Sequence, residues 1–224
     1  MNNDKRIRII TGHYGSGKTE FSINYAIKLA SLNKKVALVD LDVVNLYFRS
    51  REKEDLLNNH NVELIGSEVK ANAVDIPSIS AEALRPFDDK SYDAIFDVGG
   101  DPAGARTLGR YKKYLIDGQY DMFFVLNANR SETQTLDKAL EYMVKIQDTA
   151  RAKVTGIINN THMLKATTIE DVMKGYGLAK ELSERTNIPI KYNVMMEGLV
   201  KDLPNDFQGK IFPINLYMRQ EWMI

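Results

Sequence analysis

The run Gly12-His13-Tyr14-Gly15-Ser16-Gly17-Lys18-Thr19 satisfies every fixed position of the spacing G-x-x-x-x-G-K-[ST], and each fixed residue type has a task in holding phosphate. Glycines at positions 15 and 17 let the backbone turn its N–H groups inward around phosphate oxygens. Lys18 has the charge and reach for β- and γ-phosphates, and Thr19 offers a hydroxyl to magnesium. Tyr14, Gly15, Ser16, Gly17, Lys18, Thr19 and Glu20 are therefore the candidate contacts of a nucleoside triphosphate. Each charge-assisted hydrogen bond of this kind contributes about 1.5–3 kcal/mol, so several together reach micromolar affinity without help from the base.

Such a loop needs a strand behind it and a helix ahead of it. Ile7, Ile9 and Ile10 read as a short strand ending at Thr11, and Phe21, Tyr25 and Leu29 recur at i+4 spacing as the buried stripe of a helix. That helix points its positive end at the anion. Apolar runs suited to buried parallel strands recur at 6–11, 36–40, 62–66, 93–98, 121–126, 153–159 and 188–192. Helical periodicity is strongest over 18–32, 131–149 and 166–186, with Ser131 and Glu132 opening the second in cap style. The alternation predicts an α/β fold: a doubly wound, mainly parallel sheet with helices on both faces. Segments 67–80 and 202–210 read as loops over the nucleotide edge.

With 224 residues, 44% hydrophobic content and six prolines, the chain fits one nucleotide-binding domain spanning 1–224. Lys plus Arg equals Asp plus Glu at 30 each, which gives no bulk electrostatic case for nucleic acid or an anionic membrane. No apolar run reaches membrane-span length and the start MNNDKR lacks a signal-peptide stretch, so a cytoplasmic protein is expected. Cysteine is absent, which excludes disulfides, thiolate zinc sites, cysteine-ligated clusters and a cysteine nucleophile.

Carboxylates fall at strand ends. Val36-Ala37-Leu38-Val39 leads to Asp40-Leu41-Asp42, and Tyr92-Asp93-Ala94-Ile95-Phe96 leads to Asp97-Val98-Gly99-Gly100-Asp101. Acids at the carboxyl ends of strands beside a phosphate loop can face magnesium, as expected for Asp40 and Asp97, or the attacking water. The order of phosphate loop, D-L-D and D-V-G-G-D resembles the MinD/ParA/CobQ group of P-loop ATPases in the SIMIBI class, which includes the nitrogenase iron protein. The resemblance implies that Asp42 positions or activates water, that Asp97 holds magnesium through water, and that Gly100 touches the γ-phosphate. It makes Asp101 a second candidate for the water-activating base. Gly156-Ile157-Ile158-Asn159-Asn160 resembles the family strand that ends in an adenine-reading asparagine, with Asn160 the better match. The N-K-x-D pattern that specifies guanine is absent from that stretch, which favours ATP.

The chain departs from the family at position 13, where the resemblance expects a lysine that reaches the partner subunit's site and the sequence has His13. Slow intrinsic turnover follows unless other charge is delivered; Arg49 and Arg51 are alternatives, although they lie in a mixed-charge run. Arg106, Arg110 and Lys113 would form one basic stripe on a helix, with Leu108, Tyr111 and Leu115 buried opposite. The tail 214–224 is too poor in basic residues for a membrane anchor and is expected to pack on the sheet. His60 and His162 have no ligand-spaced neighbours and receive no role. The reading is a Mg-ATP-binding switch ATPase, homodimeric with ATP, acting on an unidentified protein partner. The alternatives are an ATP-sensing module without turnover and an ATP-dependent ligase or kinase of small molecules.

Overall fold

The computed structural model describes residues 1, 3–42, 53–66, 81–100, 102–204, 207 and 209–218. Its strands are β1 (Ile7–Thr11), β2 (Lys35–Asp40), β3 (Val62–Gly66), β4 (Tyr92–Asp97), β5 (Tyr120–Leu126), β6 (Gly156–Asn159), β7 (Ile190–Met196) and β8 (Lys210–Ile214). They form one sheet in the order β3-β2-β4-β1-β5-β6-β7-β8, and every neighbouring pair is parallel. The helices are α1 (Lys18–Ala30), α2 (Glu54–Asn59), α3 (Arg85–Asp88), α4 (Pro102–Gly109), α5 (Leu136–Ala150) and α6 (Ile169–Thr186).

Parallel strands covered on both faces should read as continuous apolar runs. All seven residues of β5, YDMFFVL, are buried. Alternate residues along each strand feed two cores. Ile9, Val39 and Phe96 pack with Leu108, Met143 and Leu182 of α4, α5 and α6. Ile10, Leu38 and Ile95 pack with Phe21, Tyr25 and Leu29 of α1 and Leu57 of α2. The expected doubly wound sheet is thus present, with helices on both faces. β1 lies at its centre between β4 and β5. The chain winds outward to one side after β1 and to the other after β4, so the carboxyl edge above β1 is the crevice where such sheets bind ligands.

The main departures from the sequence reading are two helix starts and one strand. α5 begins at Leu136 after Thr135, not at Ser131. Asn127 Oδ1 accepts from the Asn129 amide at 2.9 Å, and its carbonyl accepts the Thr133 hydroxyl at 2.8 Å, so side-chain bonds hold this segment in turns instead of a helix. α6 begins after Thr168, which forms a capping box with Asp171. β8 was not expected, because Pro213 interrupts its apolar pattern; at the sheet edge a proline is tolerated.

The supposed basic stripe is also broken. α4 stops at Gly109 and the chain turns into a single 3₁₀ turn at Lys112–Tyr114, so Arg106, Arg110 and Lys113 are exposed but share no helix. Leu108, Tyr111 and Leu115 are buried as expected. Met218 joins the α1-side core, as expected of the tail; segment 67–80 and residues 219–224 lie outside the described residues.

At the opposite, amino edge, Asp4 accepts hydrogen bonds from Tyr25 at 2.7 Å and from Tyr192, while buried Arg8 pairs with Asp93 at 2.7 Å. Burial alone would raise the Asp4 pKa, but the bonds from Tyr192 and Tyr25 hold it below its ordinary 3.8. A depressed carboxylate contributes stability above the unfolded pKa and loses it as pH falls. Asp4→Asn is expected to cost about 1–3 kcal/mol at pH 7 in urea unfolding. The gap from wild type should narrow below about pH 4; a gap independent of pH would contradict this account.

Candidate nucleotide-binding site

The phosphate loop joins the buried end of β1 to α1, whose first turn carries no side-chain cap. Its N-terminal N–H groups and dipole are thereby left for an anion. Gly17 caps the helix at φ +84°, and a β-carbon there would collide with Asn160 Nδ2. Two constraints thus demand glycine at that position. Lys18, 6% exposed, donates to the His13 carbonyl at 3.0 Å. A β-carbon on Gly100 would come within 2.5 Å of Lys18 Nζ and 2.7 Å of the Tyr14 nitrogen. The loop after β4 therefore lies directly against the phosphate loop, where the sequence placed a γ-phosphate contact. Tyr142 of α5 donates to the Gly100 carbonyl and fixes it from behind.

Register brings the acids together: Asp97 lies beside Ile10 on one side and Asp40 on the other. Asp40 Oδ1 accepts the Asp42 amide at 3.0 Å, and Asp42 Oδ1 would stand 3.0 Å from a β-carbon on Gly99. Asp97 is 1% exposed. Burial, then the neighbouring Asp40, raises its pKa to about 7, against the opposing Thr19 hydrogen bond and the Lys18 charge. Its buried Oδ1 has no hydrogen-bond partner among the described residues. A buried carboxylate crowded by a second one, with an unsatisfied oxygen and a threonine hydroxyl at hand, fits a hard divalent cation. Among the described residues no three or more His, Cys, Asp or Glu side chains form a ready-made metal cage. Magnesium keeps several waters and takes one or two carboxylates plus phosphate oxygens. Asp101, Arg49 and Arg51 lie outside the described residues.

Beyond the loop a cavity extends from Lys18, Thr19 and Asp42 past Asn160 to an apolar end formed by Leu164, Val194, Met195, Met196, Ile214, Leu216 and Met218. Asn160 donates from Nδ2 to the Ser16 carbonyl at 2.7 Å. That bond uses one amide hydrogen; the second N–H and Oδ1 are the groups left for a base. Asn159 is committed to Val172 and Asn193. Glu20 lines the cavity, but its carboxylate accepts the amides of Tyr217 and Met218 at 2.6 and 3.1 Å and so holds the tail in place.

His13 sits 3.6 Å from Glu132 and edge-on to Tyr142. Burial lowers its pKa despite Glu132, which favours the neutral imidazole near pH 7. Arg130 and the methionines line the cavity without having been singled out in the sequence, and His162, given no role there, lines it too. Arg130 lies four residues past the end of β5, and the methionines end β7; position at the carboxyl edge was the available signal.

A parallel sheet with a glycine-rich loop at the switch point, a lysine and strand-end acids defines a P-loop nucleotide-binding domain. The model of the CobQ/CobB/MinD/ParA nucleotide binding domain matches residues 7–194, and the chain belongs to that family. FtsY from Mycoplasma mycoides is similar in structure at TM-score 0.57 and 22% identity over 85% of this chain and 60% of its own. FtsY from Thermotoga maritima gives 0.56 and 23% over 84% and 61%, and chloroplast FtsY from Physcomitrella patens 0.56 and 19% over 84% and 58%. The chain spans about 60% of the length of those proteins, and at this identity the likeness is one of fold. No curated protein matches. Among the described residues no helix is long and apolar enough to cross a membrane.

The raised Asp97 pKa has a measurable sign. Between about pH 4 and 7 the folded chain holds a proton that the unfolded chain has released, so stability falls as pH rises through that window. In EDTA, Asp97→Asn should stabilise the protein at pH 8, by up to about 4 kcal/mol, and lose that advantage towards pH 5. Thermal unfolding of both proteins across this range checks it; a destabilised variant at pH 8 would contradict the account.

Proposed function

We propose that this chain is a Mg-ATP-dependent switch ATPase of the cytoplasm, homodimeric with ATP bound and signalling to a protein partner. The observation that carries the reading is the convergence of buried Asp40 and Asp97 on Lys18, Thr19 and Asp42, the last three of which line one end of a cavity whose other end is apolar. Lys18 would lie along the β- and γ-phosphates, and Thr19 with Asp40 and Asp97 would hold the magnesium. Bound there, the metal would neutralise phosphate charge. Asp42 would orient the attacking water, with Asp101 the second candidate for that role. Gly100 would contact the γ-phosphate, so the loop after β4 would differ between the triphosphate and diphosphate states.

Adenine is supported by chemistry at the apolar end. Guanine asks for a carboxylate facing its N1–H and N2–H₂ edge, and Glu20, lining this cavity, already binds the two tail amides. The remaining amide groups of Asn160 match the paired donor and acceptor of adenine. ATP should therefore displace a fluorescent nucleotide at least tenfold more effectively than GTP, a difference of about 1.4 kcal/mol. Lys18→Ala should abolish both binding and hydrolysis. Light scattering with Mg-ADP and with a non-hydrolysable Mg-ATP analogue tests the switch: a dimer only with the analogue is expected. A mass indifferent to nucleotide would remove the dimerisation, and wild-type hydrolysis in Lys18→Ala would remove the whole reading. The neutral His13 favours one alternative, ATP sensing without turnover; turnover that Asp42→Ala abolishes while nucleotide still binds excludes it.

A further inference from the structure

One cation of this cavity is held in place yet has no assigned work. Arg130 follows β5 on a segment fastened at each end. The Arg130 amide donates to the Asn127 carbonyl at 3.1 Å, and the Asn129 side chain is held by Asp171 at 2.8 Å and Lys174 at 2.9 Å, both on α6. From this mounting the side chain crosses to the phosphate loop. Nε donates to the Gly15 carbonyl at 2.9 Å, and the guanidinium lies against Gly15, with Nε 3.1 Å and Cζ 3.2 Å from where a β-carbon would stand. Its other N–H groups have no acceptor among the described residues, although it borders the same cavity as Lys18 and Thr19. An arginine serving only as a solvated surface charge would need neither the fastened loop nor the contact with Gly15.

We propose that Arg130 is a catalytic residue that acts within its own chain, placing its unbonded guanidinium N–H groups on the phosphate oxygens where negative charge grows in the transition state. This rests on the ATPase reading above. In the reaction, a water oxygen bonds to the γ-phosphorus as the bond to the β–γ bridging oxygen breaks. The electron pair of that bond leaves on the diphosphate; the water retains one O–H as the hydroxyl of inorganic phosphate and its other proton passes to solvent water. Negative charge grows on the departing bridging oxygen and the β-phosphate, and a planar, permanently charged fork is suited to that growth. Lys18 reaches the phosphates from the helix side of the loop, whereas Arg130 approaches over Gly15 from outside it. His13, neutral and turned to Glu132 and Tyr142, does not compete for the role.

The test separates ground-state from transition-state contact. Arg130→Ala should lower kcat by at least about 1,000-fold, the low end of what an arginine in this role supplies. The Kd for a non-hydrolysable Mg-ATP analogue should stay within about threefold, since interactions made only in the transition state leave ground-state binding unchanged. Mg-ADP with aluminium fluoride, which mimics the transferring phosphoryl group, should lose at least about tenfold affinity in Arg130→Ala while Mg-ADP alone does not. Arg130→Lys should fall between, since a lysine restores charge but not the fork. Wild-type turnover in Arg130→Ala, or a weaker analogue Kd with kcat unchanged, overturns the proposal and leaves the ATPase reading intact. Absence of Mg-ATP binding to the wild-type protein instead removes that reading. If the wild type binds without turnover, equal fluoride affinity in wild type and Arg130→Ala overturns the role of Arg130.

Discussion

A sheet whose strands all run the same way starts every strand-to-helix connection at one edge, and this constraint organises the site. Asp40 and Asp97 end adjacent strands, Thr11 ends the strand between β4 and β5, and Asn160 and Met196 end or follow strands farther along the same edge. No long excursion is needed to gather the candidate residues; the hydrogen-bond register gathers them. Because β1 is central and the chain winds to one side after β1 and to the other after β4, the phosphate loop emerges where neighbouring connections diverge, and there is room beside it for a ligand.

The same gathering concentrates negative charge. Asp97 and Asp40 are neighbours in register and almost fully buried, and water cannot relieve their repulsion. The chain answers with Lys18, the Thr19 hydroxyl and partial protonation of Asp97. A site tuned so is less comfortable empty than filled, a common condition where function opposes stability. The amino edge shows the contrast: Arg8 with Asp93, and Asp4 with two tyrosines, are charges matched within the chain, and they ask for no ligand.

What the sequence made legible were features that local chemistry and periodicity fix. The motif from Gly12 to Thr19, the apolar strands and the stripe Phe21, Tyr25 and Leu29 follow from residue type and spacing, and all lie where expected. The start of α5 was misread because Asn127 and Thr133 compete with helical hydrogen bonds through their side chains, which propensity at Ser131 does not reveal. β8 was hidden by Pro213, whose tolerance depends on an edge position known only once strand order is known. Arg130 and the methionines were missed for a different reason. They approach the loop across more than 100 residues of sequence, and nothing local to Arg130 or Met196 points to Gly15 or Lys18.

The bond between Glu20 and the tail divides labour between main chain and side chains. Asn24 and Glu20 grip the segment Asn215–Met218 through its backbone: the amide and carbonyl of Asn215 and the amides of Tyr217 and Met218. Leu216 and Met218 contribute their side chains to the cavity wall. These backbone bonds therefore do not depend on which side chains the segment carries, although Met218 also anchors it in the α1-side core. The apolar end of the cavity can be re-lined by substitution at 216 without breaking these backbone bonds, so the lining of the cavity and the hold of Glu20 on the tail are open to change one at a time.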